Sequence, residues 1–332
     1  MATSRDDVDE IGSVTAARVA LGAVGMQLPG SFGGGLAIER QRDAVVRLER
    51  AGYRAAWTNE VVGKDALVQL GVLLAATRRM VFGTAVANVW VRPSATLGAA
   101  AGVLSQAYPG RFVLGLGGGY PEQAASVGRE FGSPVAVMRD YLAGMDGVST
   151  TPSVAYPRLV AANGPRMLAL AGEVADGALP AGLPAAFTAE ARRALGPDKL
   201  LVVGLTVSVG GDGARARAAA SALLGMAWFR RSLIRLGYTE RDVSEVSDRL
   251  VDDLVAHGDP AAITTAVRAH HDAGADHVIV MLPMGEDYEA GVDTLEWLAP
   301  ALTALDPAAE TSTDSGSGVG TTTTADTTTT EG

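Results

Sequence analysis

Two textures alternate along residues 20–305. Short runs rich in apolar and β-branched residues are followed by longer stretches whose apolar positions recur every three or four residues. VALGAVGMQL (19–28) predicts a first strand, and AIERQRDAVVRLERAG (37–52) a helix with Ala44, Val45, Leu48 and Ala51 on one face and Gly52 as its stop. The same alternation predicts strands at 53–60, 80–91, 111–118, 157–164, 176–182, 200–210 and 276–283. Helices are expected at 65–77, 94–108, up to about 145, 165–175, 261–274 and 294–305. Between the last two strands lies a long helical region, 214–237 and then 244–258.

Eight strands separated by helices require a parallel sheet, because each strand must return to the same end through a crossover. Runs that are apolar throughout suit strands covered on both faces. The expected architecture is a closed (β/α)8 TIM barrel. An open doubly wound sheet is the competing architecture. It usually carries a GxGxxG turn after its first strand, and the run from Gly25 to Gly30 does not match one. Residues 19–305 read as one domain, residues 1–18 as a flexible extension, and 306–332 as a disordered Thr/Gly/Ser-rich tail.

Composition narrows the chemistry. The 332 residues include no cysteine, which excludes a disulfide scaffold, a thiolate-bound metal and a thiol nucleophile. The net charge is −10, with five acids and no base from Asp306 onward. An acidic chain without a basic stripe repels nucleic acid and anionic lipid, so neither is an expected partner. No apolar run reaches the length of a membrane span and the N-terminus lacks signal-peptide order, so a cytoplasmic enzyme is the expectation. HExxH, P-loop and GxSxG signatures are absent from the sequence. His270 and His271 are adjacent and diverge on a helix, while His277 sits at the wrong end of its strand, so no metal site is expected.

In a barrel, chemistry sits at the C-terminal ends of the strands. The first strand delivers Met26 and Gln27, the second Trp57 to Glu60, and the third Ala85, Val86, Asn88 and Trp90. The fourth delivers Gly117 to Tyr120, the fifth Asn163 to Arg166, and the eighth Met281 and Pro283. Glu60 is the only carboxylate at the ends of the first five strands; it reads either as a proton donor or acceptor in an apolar rim, or as a loop acid partnered by Lys64. Asp65 reads as a helix cap. The triple glycine at 117–119 reads as a surface open to a flat ligand, or as a flexible turn. Asn163-Gly164-Pro165-Arg166 reads as a helix N-terminus able to take an anion, or as a plain strand-to-helix turn. So few titratable groups at the mouth point to a reactive atom borrowed from an organic cofactor.

Three stretches then carry a resemblance: YRAAWTNEVVGKD (53–65), GTAVANVWVRPSATLGAAAGVLSQAYPGRFVLGLGGG (83–119) and RLVAANGPRMLALAGEVADGA (158–178). Together they resemble the luciferase-like monooxygenase superfamily, in its coenzyme F420-dependent oxidoreductase branch. The resemblance implies a barrel holding a deazaflavin, or alternatively FMN, at the strand ends. By position, Ala85 and Val86 match a third-strand bulge behind the ring, which in the deazaflavin branch often holds a non-prolyl cis peptide, with Asn88 beside it. Gly118, Gly119 and Tyr120 match the loop at the ring edge, and Ala162, Asn163, Gly164, Pro165 and Arg166 the loop on the phosphate side. Glu60 matches an acid that contacts the cofactor and is the candidate catalytic residue; the next position, a histidine in the sugar-phosphate dehydrogenase relatives, is Val61. Met26, Trp57 and Trp90 are the candidate substrate wall, and read equally well as core packing.

The function expected from this resemblance is hydride transfer between F420 and a small organic substrate. An FMN-dependent monooxygenase and a non-catalytic flavin- or deazaflavin-binding barrel are the alternatives. A homodimer through small-residue helix faces such as SATLGAAAGVLSQA is compatible with the pattern, as is packing of those faces on the barrel.

Overall fold

A computed structural model of the chain describes residues 7–30, 36–147, 153–210, 213–225 and 227–306. Its strands are β1 (Val24–Gln27), β2 (Ala55–Thr58), β3 (Val81–Thr84), β4 (Ala87–Asn88), β5 (Phe112–Gly117), β6 (Arg158–Val160), β7 (Gly177–Ala178), β8 (Leu200–Val209), β9 (Val255–Gly258) and β10 (His277–Met281). The helices are α1 (Asp7–Leu21), α2 (Ile38–Arg50), α3 (Ala66–Ala76), α4 (Ser94–Ala107), α5 (Pro121–Ser126), α6 (Pro134–Asp146) and α7 (Pro165–Val174). After them come α8 (Ala185–Leu195), α9 (Gly213–Leu224), α10 (Ala227–Arg235), α11 (Glu240–Glu245), α12 (Asp248–Leu254), α13 (Pro260–Asp272) and α14 (Tyr288–Thr303).

The strand order β1-β2-β3-β5-β6-β7-β8-β10 closes on itself, because β10 pairs with both β8 and β1. Every one of these pairings is parallel, so the chain forms the expected (β/α)8 TIM barrel. Alternation along each strand splits the apolar residues into two layers. Val24, Met26, Ala56, Phe82, Leu114, Val203 and Val280 pack outward with Ala44, Val45, Leu48 and Leu70 of the helices. Ala55, Trp57, Val81, Val113, Leu159, Val202 and Ile279 fill the lumen. Glycine makes room for the largest lumen residue: a Cβ at Gly83 would lie 2.2 Å from the Trp57 ring.

The expectation of a flexible extension is corrected over residues 7–18, as is that of a strand beginning at 19; residues 1–6 of the expected extension lie outside the described residues. Residues 7–21 form α1, and β1 begins only at Val24. Val14, Ala17 and Leu21 join the lumen cluster from below, closing an end that would otherwise leave Trp57 and Val81 open to water. Arg18 pins the helix: its Nε lies 3.1 Å from Asp276 and its Nη2 donates to Lys199 O at 2.9 Å. Gly22, at φ +70°, turns the chain from α1 toward β1.

Two further elements depart from the pattern. α8 fills the interval between the sixth and seventh predicted strands. β9 replaces the end of the helix expected through 258, because β8 runs past the ring and Thr206–Val209 pair there with Val255–Gly258. The expected tail falls outside the described residues from 307 onward; Asp306 itself accepts from Ala23 N at 2.5 Å.

Candidate active site

The rim is built first on β2 and β3. Ala85 N donates to Thr58 O at 2.7 Å and Glu60 N to Val86 O at 2.9 Å, so the two strand ends are zipped together. The Ala85–Val86 peptide is cis. The Glu60 side chain is wholly buried. Its Oε2 accepts from Asn88 N at 3.2 Å, and its Oε1 accepts from Ala66 N at 3.4 Å and pairs with the Arg92 guanidinium. Burial pushes the Glu60 carboxyl up, with Arg92 opposing. Arg92 also lies 3.0 Å from Asp65, which caps α3 as expected by accepting from Leu67 N and Val68 N. Lys64 donates to the Thr58 hydroxyl at 2.8 Å; burial pulls its ammonium down to about 8, against the pull of the Glu60 charge.

Arg92 is the residue that sequence reasoning missed. It lies 32 positions beyond Glu60, and the only signal was that a buried carboxylate requires a cation.

The triple glycine forms the next arc. Gly117 closes β5 against the bulge: a Cβ there would lie 2.2 Å from Val86 Cγ2. Gly118 O accepts from Trp90 Nε1 at 2.7 Å, and Gly119 sits at φ +56°. Trp90 packs against Phe131 with ring centroids 5.8 Å apart, and its backbone N–H donates to Asn88 Oδ1 at 3.0 Å. Asn88 is thereby committed to the loop's own architecture. Tyr120, 42% exposed, precedes α5.

The β6–α7 loop forms a third arc. Ala162 is buried, Asn163 Oδ1 accepts from Ala181 N at 3.0 Å, and Asn163 O accepts from the Ser232 hydroxyl at 3.0 Å. Gly164 is the N-cap of α7, Pro165 its first residue, and no side chain caps it. A Cβ at Gly164 would meet nothing within 4 Å, and Arg166 is exposed beside it.

Two of the three candidate wall residues do not reach the mouth. Met26 is fully buried in the outward layer beneath the helices, because its parity on β1 is that of Val24. Trp57 is fully buried in the lumen, where its Nε1 donates to His277 Nε2 at 3.1 Å. Trp90 alone stands at the rim, and it is 6% exposed.

Across the mouth from the glycine arc, a cavity of about 320 Å³ opens between the ends of β1 and β10. Gln27, Leu28, Pro29, Met281, Leu282 and Glu286 line it. Gln27 Nε2 is buried with no hydrogen-bond partner among the described residues. Asn59 Oδ1, on the neighbouring strand end, is in the same condition.

Fold and rim together define a (β/α)8 barrel protein whose candidate site lies at the C-terminal ends of its strands. The chain belongs to the luciferase-like monooxygenase family, whose profile matches residues 10–277. It is 32% identical over 151 residues to a 5,10-methylenetetrahydromethanopterin reductase of Methanolobus tindarius, covering 40% of this chain and 46% of that protein. It is 29% identical over 191 residues to a Mycobacterium tuberculosis protein provisionally named a coenzyme F420-dependent oxidoreductase, covering 47% and 54%. These matches thus span about half the length of the curated relatives. Among solved structures, an F420-dependent secondary alcohol dehydrogenase in complex with an F420-acetone adduct superposes with a TM-score of 0.65 at 16% identity, over 85% of this chain and 99% of that one. The FMN-bound oxygenating constituent of 3,6-diketocamphane monooxygenase from Pseudomonas putida superposes at 0.61 and 16%, over 86% and 99%. At such identity these two share the fold.

Proposed function

We propose that the protein is a coenzyme F420-dependent oxidoreductase that moves a hydride between the deazaflavin and a small organic substrate. The observation that carries this reading is a rim short of free acids and bases. The Glu60 carboxylate at the bulge is sealed in an ion pair with Arg92, which also holds Asp65. Chemistry at such a mouth is best supplied by a bound organic group. The curated relative from Mycobacterium tuberculosis, provisionally named a coenzyme F420-dependent oxidoreductase, supports the choice of group.

The residues present fit such a group. Open space at Gly164 and the uncapped start of α7 suit a phosphate, with Arg166 alongside. The Ala85–Val86 bulge and the Gly118–Gly119 edge would back a flat ring, with Tyr120 at its border. A deazaflavin, when bound, supplies two-electron hydride chemistry. In this reading Glu60 is a positioning residue: it ties Asn88 N and Arg92 to the second strand end and holds the bulge.

The experiment is titration of the pure protein with oxidised F420 and with FMN, followed by absorbance and fluorescence. Saturable F420 binding is the expected result. The same rim would admit FMN, whose ring and phosphate share that layout. FMN binding alone, with oxygen uptake once the flavin is reduced, would favour a monooxygenase. Binding of neither would end both readings.

A further inference from the structure

The cavity between β1 and β10 has a chemistry of its own. Alternation along β1 sends Val24 and Met26 to the helices, so Gln27 turns into the barrel mouth, where it lines the cavity floor. Gln27 is 6% exposed, yet its Nε2 has no partner among the described residues. A buried donor left without an acceptor disfavours the state that contains it, and a ligand that brings an acceptor removes the penalty. The walls, Leu28, Pro29, Met281 and Leu282, are apolar. The only ionisable lining residue among those described is Glu286, whose carboxylate is largely covered and lies 3.4 Å from the exposed Arg215. Among the described residues, no cation lines the cavity.

We infer that this cavity is the substrate subsite, with Gln27 as its specificity-determining residue. It takes an uncharged, compact apolar molecule bearing one carbonyl or hydroxyl oxygen, which accepts from Gln27 Nε2. Glu286 selects against carboxylate and phosphate substrates, because an anion there would face a largely covered negative charge with no cation among the described wall residues. The cavity and the glycine arc sit on opposite sides of one mouth. A molecule held at Gln27 therefore lies beside, and not upon, the residues proposed for the cofactor. The inference rests on the oxidoreductase reading for the word substrate; the cavity's preference for a neutral oxygen acceptor stands on geometry alone.

The test uses the full-length protein without cofactor and two probes, 4-tert-butylcyclohexanone and 4-tert-butylcyclohexanecarboxylate. Affinity is read by ligand-observed NMR titration. The ketone is expected to bind the native protein at least tenfold more tightly than the carboxylate. Gln27→Leu, which keeps the volume and removes the donor, is expected to weaken the ketone about tenfold, a loss worth about 1.4 kcal/mol. Glu286→Gln is expected to narrow the gap between ketone and carboxylate while Gln27 is intact. Should Gln27→Leu fail to fold by circular dichroism, Gln27→Glu replaces it, and the ketone must again weaken. Equal affinity of the two probes, an unchanged ketone affinity in the Gln27 variant, or no binding of either probe would overturn the inference. F420 titration of the same variants separates the two claims: loss of F420 binding in the native protein defeats the cofactor reading and leaves the probe results untouched.

Discussion

Trp57 Nε1 donates to His277 Nε2 at 3.1 Å in the floor of the barrel, and His277 Nδ1 donates to Gly22 O at 2.8 Å. These two partners require a neutral imidazole with its proton on Nδ1. Burial accordingly pulls His277 down to about 4, with the Gly22 hydrogen bond opposing. The unfolded chain titrates this group near 6.5. Between those values the unfolded state binds the extra proton, so stability is full above 6.5 and falls as the pH drops toward 4. The expected loss from pH 7 to pH 5 is about 2 kcal/mol from this residue. His270, pulled to about 4 by burial first, behaves alike. Urea unfolding at pH 7 and 5 is the measurement. His277→Gln, which keeps an acceptor for Trp57, should shrink the pH dependence by about that amount; an unchanged pH dependence would contradict the buried neutral histidine.

The ion pair at the rim yields a second prediction. Arg92→Met strands a buried carboxylate and is expected to cost about 3–5 kcal/mol. Glu60→Gln is expected to cost less, since Arg92 keeps Asp65 at 3.0 Å. Denaturation of both variants and of the double variant gives the coupling. A positioning role for Glu60 further requires that Glu60→Gln lose stability and cofactor affinity together. Full stability with abolished turnover would instead make Glu60 a proton-transfer group.

Neighbouring glycines on the rim should respond oppositely. Gly117→Ala drives a methyl to 2.2 Å from Val86 Cγ2, and a β-branched neighbour has little rotamer freedom to yield. A loss of about 1–3 kcal/mol is expected in thermal or chemical unfolding. Gly164→Ala meets no atom within 4 Å in an extended backbone, so its stability should stay within about 0.5 kcal/mol of the parent. Its effect belongs to ligand binding: F420 affinity should fall, because the methyl occupies the open space before α7. Unchanged affinity would remove Gly164 from the proposed cradle.

Helix α1 is expected to be part of the cooperative fold. Leu21 is fully buried in the lumen cluster, so Leu21→Ala should cost roughly 2–5 kcal/mol. Removing the chain up to Leu21 should expose the barrel floor and yield an aggregating protein. A truncated chain that remains monomeric and equally stable by size-exclusion chromatography and melting would refute the plug.

Much of this was legible in the chain, for local reasons. The βα alternation, the Asp65 cap and the Gly164-Pro165 start of α7 each depend on neighbouring residues, and each appears where the pattern placed it. His277 at the base followed from its place at the start of a strand. α1 was hidden because its role is visible only against a closed barrel end, where Val14, Ala17 and Leu21, which follow an acidic stretch, are buried.

Which way each rim residue faces was decided by closure of the ring. A strand's alternation tells that Met26 and Gln27 point oppositely, and it leaves open which of them meets the lumen. Pairing of β1 with both β2 and β10 sent Met26 under the helices and Gln27 into the mouth. The Glu60–Arg92 pair likewise needed β2 and β3 side by side, since residues 32 apart share no local signal. Local chemistry thus determined the elements and their caps. Long-range burial, which no window of sequence contains, decided the partners of the polar groups at the site and left some, Gln27 Nε2 and Asn59 Oδ1 among them, with none among the described residues.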